Sequence, residues 1–264
     1  MITALILGII EGITEFLPIS STGHLIIANR FINFKGEFAN LFDIIVQLGA
    51  VLAVIVYYRS KIIPPVQHRK KLSEYINNWF KILIAFIPAA IIGFLLSDII
   101  EKYLFSTLVV GIAMVLGGIL LLVADRQKFK SSANKLNEVG IQQALIIGLF
   151  QCLSLIPGMS RSASTIIGGL FKDLSRETAI EFSFLLSIPT LFGASVLKLV
   201  KYQQTLGSTE VTTLAVGLVT SFVTALLVIS LLTKYIKTHN FQFFAYYRIV
   251  IGLIILSLSL FRIL

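Results

Sequence analysis

Acidic, hydroxyl and imidazole side chains are concentrated in one short stretch of an otherwise apolar sequence. Residues 11–24 read EGITEFLPISSTGH, with ALILGII before them and LIIA after them. Glu11 and Glu15 are four residues apart, so on a helix they share one face, about one turn apart. Pro18 ends that helix, and His24 falls in the first turn of the next. Because an ionisable group in hydrocarbon costs roughly 2.5–3.5 kcal/mol on insertion scales, this stretch predicts a functional site.

A second polar stretch lies in the other half of the chain. Residues 157–165 read PGMSRSAST, inside another apolar segment. Arg161 is permanently charged, and its planar fork suits phosphate oxygens. The helix that starts near Ser162 and the one that starts near Ser21 each offer free amides and a positive dipole end. Two helix starts and one arginine therefore predict an anion site.

Two carboxylates beside an anion site need a cation, because Glu11 and Glu15 would repel a bare phosphate. A divalent cation removes the conflict, since hard cations bind carboxylate and phosphate oxygens together. The combination predicts a metal-assisted phosphate or diphosphate site inside a membrane protein, with Glu11 and Glu15 as metal ligands.

Composition indicates a membrane protein. Of the 264 residues, 56% are hydrophobic and 13% charged, whereas soluble domains carry about 25% charged residues. The formal net charge of +9 indicates basic loops at an anionic membrane surface and no nucleic-acid partner. Cys152 is the single cysteine, which excludes an intrachain disulfide and a thiolate metal cluster. The start, MITALILGII, lacks the basic region of a cleavable signal peptide.

Hydropathy predicts an all-α polytopic membrane protein with six transmembrane helices and two re-entrant helical hairpins. A span needs about 20 apolar residues. The six candidate spans are roughly Leu41–Tyr58, Phe80–Ser97, Phe105–Ala124, Ala179–Val200, Thr212–Leu232 and Phe243–Phe261. Ala4–Phe34 is interrupted at Pro18 to Gly23, and Gln142–Phe171 at residues 157–158, so each arm is too short to cross. A pair of proline-kinked full spans is the alternative.

The distribution of Lys and Arg supports this topology, because cytoplasmic loops carry an excess of basic residues. With the loop Arg59–Lys81 placed inside, fourteen of the 22 basic residues fall inside and six outside. The inside group is Arg59, Lys61, Arg69, Lys70, Lys71, Lys81, Arg126, Lys128, Lys130, Lys135, Lys172, Arg176, Lys234 and Lys237, and the outside group is Arg30, Lys35, Lys102, Lys198, Lys201 and Arg262. Both termini are then outside, the first hairpin opens outward and the second opens to the cytoplasm.

The two halves of this single membrane domain, about 1–125 and 140–264, resemble each other. ALILGIIEGITEFLP at 4–18 matches ALIIGLFQCLSLIP at 144–157, and FDIIVQLGA at 42–50 matches FSFLLSIPT at 182–190. Three spans per half give the copies opposite orientations, and such inverted repeats place a binding site near the midplane. The residues opposite Glu11, Glu15 and His24 are Gln151, Leu155 and Ala163. Acid–base groups thus occur in one copy only, which favours chemistry over binding alone. Chance similarity between apolar helices is the alternative.

At these residues the chain resembles bacterial undecaprenyl pyrophosphate phosphatases of the bacitracin-resistance type. The family's first motif, E/Q-x-x-x-E, matches Glu11 and Glu15, and its second, P-G-x-S-R-S-x-x-T, matches residues 157–165 without departure. The family's serine and histidine after the first motif correspond to Ser21 and His24. The resemblance extends over essentially the whole chain.

The resemblance implies a phosphatase of the bacterial plasma (inner) membrane that hydrolyses undecaprenyl diphosphate to undecaprenyl phosphate and inorganic phosphate. This reaction recycles the lipid carrier of peptidoglycan and cell-wall synthesis and confers bacitracin resistance. The resemblance also implies a divalent cation, Mg²⁺ or Ca²⁺, and a homodimer among membrane lipids. The loop charges also predict that the site opens to the outer or periplasmic face.

Roles for individual residues follow as hypotheses. Ser21 is the preferred nucleophile, activated by His24 or by a carboxylate, with Glu15 as the proton acceptor. Direct attack by a metal-activated water, with Ser21 only a ligand or cap, is the alternative. Arg161 and the amides near Ser21 and Ser162 hold the terminal phosphate. Further phosphate-binding groups are expected from Ser20, Thr22, Gly23, Ser160, Ser162, Thr165 and Gln47.

Each role also has a plainer alternative. These alternatives are helix caps for Ser20 and Ser21, an interior hydrogen-bonded histidine for His24, an interhelical hydrogen bond for Gln47, and an ion pair with Arg161 or Arg248 for Glu11 and Glu15. For the whole chain, the alternative function is a phosphate or lipid-phosphate transporter or flippase with the same inverted-repeat architecture.

Overall fold

The protein is built from α-helices. The structure is a computed structural model that describes residues 1–64, 69–126, 131–202 and 205–261. Within these ranges the helices are α1 (Ile2–Thr14), α2 (Ser21–Ile32), α3 (Glu37–Tyr57), α4 (Arg59–Ile62), α5 (Arg69–Leu104), α6 (Thr107–Arg126), α7 (Ile141–Gln151), α8 (Arg161–Phe171), α9 (Arg176–Lys201), α10 (Ser208–Tyr235) and α11 (Gln242–Leu260). Lys128, Lys130 and Arg262, counted above among the basic residues, lie outside the described ranges.

Six helices are long and apolar enough to cross a bilayer, which confirms the predicted number of spans: α3, α5, α6, α9, α10 and α11. A helix pairs its backbone polar groups internally, which is why apolar runs of this length are helical in lipid. The chain is therefore an all-α, multi-pass membrane protein. The predicted boundaries differ most at α5, which begins at Arg69 and not near Phe80, so much of the loop expected over 59–81 is helical.

Four further helices are too short to cross. α1, α2, α7 and α8 contain 13, 12, 11 and 11 residues. At 1.5 Å per residue they are about 17–20 Å long, against a hydrocarbon core of about 30 Å. The two breaks fall near the prolines at which they were predicted. α1 ends at Thr14, before Pro18. α7 runs into a 3₁₀ turn over Cys152–Leu155, before Pro157. Gly158 continues the second break with φ of +97°, a conformation that glycine adopts most readily.

Glycines let the short helices approach full-length helices closely. Gly8 of α1 faces the Gly217 carbonyl of α10, and Gly148 of α7 faces the Ala85 carbonyl of α5. At neither position is there room for a Cβ atom without displacing that backbone. Such close backbone packing stabilises helix pairs in lipid, where the hydrophobic effect does not drive association. α1 and α7 are therefore each packed closely against a full-length helix from the other half of the chain.

Polar contacts join several helix ends on one side of the protein. Asp125, near the end of α6, accepts a hydrogen bond from Arg176 of α9 at 2.6 Å and one from the Phe241 amide at 3.1 Å. Lys61 of α4 and Glu181 of α9 form an ion pair at 2.5 Å. These helix ends belong to the group that the loop charges predict to lie inside.

Candidate active site

The two chain breaks lead into matching helix starts. Ser20 and Ser160 have φ angles of 75° and 66°, which are uncommon for residues with a side chain. Ser20 Oγ accepts a hydrogen bond from the Gly23 amide at 3.3 Å, and Ser160 Oγ accepts one from the Ala163 amide at 3.2 Å. Because the first amides of a helix lack intrahelical partners, both starts present hydrogen-bond donors. Helix α8 begins at Arg161, one residue earlier than expected.

Glu15 connects the two breaks. Its Oε2 accepts a hydrogen bond from Ser21 Oγ at 2.8 Å, and its Oε1 accepts one from Arg161 Nη2 at 3.0 Å. Arg161 also donates through Nη1 to the Ser183 carbonyl at 2.9 Å. Glu15, Ser21 and Arg161 are all at least nine-tenths buried. The structure thus brings the predicted carboxylate, hydroxyl and guanidinium together in one buried cluster. Ser183 was not singled out from the sequence, where it is one hydroxyl within an apolar run.

Glu11 lies one helical turn before Glu15 and is fully buried. The Glu15 amide donates to the Glu11 carbonyl at 2.9 Å, in the last turn of α1. Within the part of the chain that the structure describes, neither carboxylate oxygen of Glu11 has a hydrogen-bond partner. Because burying an unpartnered carboxylate is costly, these oxygens suit a ligand that brings positive charge.

His24 makes its hydrogen bonds away from Ser21. Its Nδ1 lies 2.7 Å from the Ser20 carbonyl and its Nε2 lies 2.8 Å from the Tyr247 hydroxyl, and the two rings stack at 5.7 Å. A carbonyl only accepts, so Nδ1 carries the hydrogen, and in the neutral ring Nε2 accepts from Tyr247. Of the two activators predicted for Ser21, only the carboxylate of Glu15 contacts its hydroxyl here. His24 is therefore an interior hydrogen-bonded histidine in this structure, which was the alternative to its role as activator of Ser21. Its partner Tyr247 was not identified from the sequence.

Hydroxyls of the second break hold the two breaks together. Ser162 Oγ donates to the Leu17 carbonyl at 3.0 Å. Thr165 Oγ1 lies 2.7 Å from Ser183 Oγ, which joins α8 to α9. The Ser160 hydroxyl is engaged as the N-cap of α8. In this structure the three side chains are bonded within the protein, so their contact with phosphate stays a prediction.

Arg248 is a buried site residue to which the sequence assigned no catalytic role. Its hydrogen bonds, 3.0–3.4 Å long, go to the carbonyls of Met114, Pro18, Gly158 and Met159. It therefore joins both breaks to α6, and neither glutamate is its partner. The available signal was the charge itself, because an arginine within an apolar span is rarely without a function.

Aromatic rings pack beneath the cluster. Phe16 and Phe184 are fully buried, with ring centroids 5.0 Å apart, and Tyr58 contacts Phe184 at 6.2 Å. The Arg161 guanidinium lies 5.8 Å from the Phe16 ring. Lys61, from the ion pair at the helix ends, lies 5.8 Å from the Tyr58 ring. These rings separate the cluster from the side that the loop charges predict to lie inside.

A cavity of about 1100 Å³ approaches the cluster from the opposite direction. Its wall includes Thr22, next to Ser21 in the chain, and Gln47, both of them predicted site residues. Gly23 is buried in the first turn of α2. Most of the remaining wall is apolar, and its basic members are Arg30, Lys35 and Lys198. Its volume lies at the upper end of the usual range for small-molecule sites, about 300–1000 Å³, and Asp43 is the acidic residue of its wall.

The cluster has the parts needed for phosphoryl chemistry. A hydroxyl that is hydrogen-bonded to a carboxylate can transfer its proton to it while attacking an electrophile. The guanidinium and the two helix starts suit phosphate oxygens. Arg161 Nε has no hydrogen-bond partner among the residues that the structure describes. The arrangement fits phosphoryl transfer or hydrolysis, and Thr22, the neighbour of Ser21, lines the apolar cavity.

Known proteins similar to this chain carry names that agree with such chemistry. An undecaprenyl-diphosphatase of Thermoanaerobacter sp. (strain X514) is 49% identical over 259 residues, which cover 98% of this chain and 96% of that protein. An undecaprenyl-diphosphatase of Clostridium tetani is 46% identical and covers 100% and 98% of the two chains. One from Pseudomonas syringae pv. tomato is 47% identical and covers 96% and 92%. The family model described as bacitracin resistance protein BacA matches residues 4–254, and this chain therefore belongs to the BacA family.

Proposed function

We propose that this chain is an integral membrane phosphatase that hydrolyses undecaprenyl diphosphate to undecaprenyl phosphate and inorganic phosphate. The observation that carries the proposal is the buried Glu15 carboxylate, bonded to Ser21 on one side and to Arg161 on the other. Relatives named as undecaprenyl-diphosphatases align with nearly the whole chain and favour hydrolysis over transport. In a bacterium the reaction recycles the lipid carrier of cell-wall synthesis and withholds the diphosphate from bacitracin.

In the proposed mechanism Ser21 is the nucleophile and Glu15 the base. Ser21 Oγ attacks the terminal phosphorus while its proton passes to Glu15. The bond from that phosphorus to the bridging oxygen breaks, and undecaprenyl phosphate leaves with the electron pair. Water then hydrolyses the phosphoserine and releases inorganic phosphate. Attack by water on the terminal phosphorus, with Glu15 as base, is the alternative route to the same products.

Arg161 stabilises the charge that develops on the terminal phosphate. Its guanidinium is fixed by Glu15 and Ser183, and its Nε donor remains available. A donor held in place before the reaction costs no reorganisation when charge develops, which makes such groups strong contributors to catalysis.

The two glutamates fit a divalent cation that is shared with the substrate. Both Glu11 oxygens are unpartnered, and the described residues contain no cluster of three His, Cys, Asp or Glu side chains that could hold a metal alone. Mg²⁺ is usually bound by one or two carboxylates together with substrate phosphates and not by an all-protein cage. Glu11 and Glu15 would hold Mg²⁺ or Ca²⁺ with the diphosphate, and the ion would neutralise charge on the phosphate oxygens.

The short helices form two re-entrant hairpins in an inverted repeat. Three features support this proposal: the short lengths of α1, α2, α7 and α8, the matching caps at Ser20 and Ser160, and the glycine contacts of Gly8 and Gly148 with helices of the opposite half. The paired caps set His24 opposite Ser164, one residue beyond the Ala163 of the sequence alignment.

The active site opens to the outer face of the bacterial plasma membrane. Basic residues of the group expected outside, Arg30, Lys35 and Lys198, line the cavity, while the aromatic packing lies toward the other side. The mainly apolar wall suits the isoprenoid chain of the substrate. The homodimer implied by the family resemblance stays a prediction.

Phosphate release by the purified protein in detergent with Mg²⁺ tests the proposal. With undecaprenyl diphosphate we expect inorganic phosphate and undecaprenyl phosphate in equal amounts. The matched control is undecaprenyl phosphate as substrate, which should release no phosphate. Binding of the diphosphate without phosphate release would identify a carrier and overturn the proposal.

A further inference from the structure

A buried carboxamide in the second half of the chain has an unused donor. Gln151, the last residue of α7, is fully buried. Its Oε1 lies 3.2 Å from Thr190 Oγ1, whose hydroxyl also donates to the Leu186 carbonyl at 2.8 Å, and its Nε2 has no partner among the described residues. A buried donor left unpaired costs free energy, so this amide group suits a ligand that accepts hydrogen bonds.

Gln151 contacts two residues of the cavity wall. Thr190, whose hydroxyl lies next to the carboxamide oxygen, lines the cavity, and so does Ser154, whose hydroxyl donates to the Gln151 carbonyl at 2.6 Å. Thr190 and Ser183, the residue that contacts Arg161, are seven residues apart on α9. Seven residues are two turns, so both face the same way, about 10 Å apart along the helix axis. The free amide therefore lies farther along the same helix face than the Arg161 end of the cluster.

We propose that Gln151 Nε2 binds the phosphate that stays on the lipid, while the Ser21–Glu15–Arg161 cluster holds the terminal phosphate. The proposal rests on the hydrolase function proposed above. Because Ser183 and Thr190 are two turns apart on α9, their partners Arg161 and Gln151 would contact the substrate at different points along its length, which suits two linked phosphates with a hydrogen bond to each.

The chemistry of the step explains why a donor is useful there. When the terminal phosphorus separates from the bridging oxygen, that oxygen keeps the bonding electron pair and the lipid phosphate gains negative charge. An amide N–H can stabilise this charge, whereas a carboxylate would repel it. The position equivalent to Gln151 in the first half is Glu11, whose unpartnered oxygens are acceptors. The two equivalent positions thus provide groups of opposite kind: an acceptor for a cation and a donor for a phosphate.

Product inhibition distinguishes the two phosphate positions. Undecaprenyl phosphate and inorganic phosphate would be tested separately as inhibitors of phosphate release and as ligands in direct binding measurements. In Gln151→Glu, which keeps the size of the side chain, we expect the inhibition constant for undecaprenyl phosphate to rise at least about tenfold, the equivalent of one charge-assisted hydrogen bond. The constant for inorganic phosphate, which binds at Arg161, should stay within about twofold, since that contact is unchanged. Gln142→Leu, an exposed glutamine at the other end of α7, is the matched control and should change neither constant.

Thr190→Val gives a second test, because it removes the hydroxyl next to the carboxamide oxygen, together with the bond of that hydroxyl to the Leu186 carbonyl. It should raise the inhibition constant for undecaprenyl phosphate by a smaller factor than Gln151→Glu does. Unchanged constants in both variants would mean that the amide does not contact the substrate. An equal rise in both inhibition constants would indicate general damage to the site. Each of these two results would overturn the proposal. Absence of phosphate release by the wild-type protein is a separate outcome that rejects the hydrolase function itself.

Discussion

Glu15 occupies its position because two side chains from different helices bind its two oxygens. Ser21 Oγ approaches one oxygen at 2.8 Å, and Arg161 approaches the other at 3.0 Å. A buried ion pair is expensive to desolvate, so it is weak evidence for stability by itself. The carboxylate that neutralises the arginine also accepts a hydrogen bond from the hydroxyl of Ser21, the proposed nucleophile. This arrangement fits the catalytic role that we propose for the cluster.

Replacing Ser21 separates the covalent route from direct attack by water. We expect Ser21→Ala to reduce phosphate release by at least about 10²-fold, because the nucleophile is lost. Acid-quenched wild-type protein should contain phosphoserine at this position. The control is Ser164→Ala, which removes another buried hydroxyl bonded to the Ser160 carbonyl at 2.9 Å and should retain activity. Near-normal turnover by Ser21→Ala, without a trapped phosphoserine in the wild type, would favour the water route.

Replacing Arg248 tests its role as the residue that joins the two breaks. Arg248→Met removes the donor to four buried carbonyls, at about 1–3 kcal/mol each, so Tm in detergent should fall by at least roughly 8 °C. Arg126→Met is the control, because Arg126 is exposed and contacts only the Tyr246 hydroxyl at 2.8 Å among described side chains. Equal Tm values for both variants would contradict a structural role for Arg248.

Contacts between residues close together in the chain were easier to predict from the sequence than contacts between distant residues. The spacing of Glu11 and Glu15 and the hydroxyls after Pro18 placed the acidic half of the cluster correctly, since helix periodicity and capping are local. Ser183 and Tyr247 could not be predicted, because their partners lie 22 and 223 residues away in the chain. The same limit explains why His24 was associated with Ser21, its near neighbour, and not with Tyr247.

The short helices depend on backbone contacts with full-length helices. A helix of 11–13 residues cannot span the bilayer, so it must be held by protein around it. Gly8 and Gly148 meet this requirement in the two halves at the same position of the shared ALI-x-G motif. The sequence contained this information as a repeat, but it did not identify α10 and α5 as the partners.

A methyl group at Gly148 tests this packing. Gly148→Ala would push a Cβ atom into the Ala85 carbonyl of α5, and overpacking of this kind typically costs about 1–3 kcal/mol. We expect a lower Tm by thermal unfolding in detergent. Gly193→Ala is the matched control, since a methyl group added there would lie 3.7 Å from its nearest neighbouring atom. A Tm for Gly148→Ala equal to that of Gly193→Ala would show that the contact is not tight.

In the whole molecule, the ion pairs and the cavity lie at opposite ends of the helices. Ion pairs and aromatic packing join helix ends on one side, and the cavity approaches the cluster from the other. Substrate and both products would therefore use the same opening. Hydropathy predicted the number of spans, because it is a bulk property of the sequence. The cavity could not be predicted, since it depends on how helices distant in the chain pack.

Removal of divalent cations tests the role assigned to the glutamates. EDTA should abolish phosphate release, and excess Mg²⁺ or Ca²⁺ should restore it. In Glu11→Gln, the metal concentration for half-maximal rate should rise by at least about tenfold, because one charged ligand is lost. Exposed Glu177→Gln is the control. Full activity in EDTA would rule out the cation.

Phosphate release from undecaprenyl diphosphate by purified Glu15→Gln protein, compared with wild type at equal Tm, is the decisive measurement. A glutamine keeps the shape of the side chain but neither accepts the Ser21 proton nor balances Arg161, so we expect a loss of about 10²–10⁴-fold. Wild-type turnover by a correctly folded Glu15→Gln protein would contradict the assignment of this buried cluster as the place where the diphosphate is cleaved.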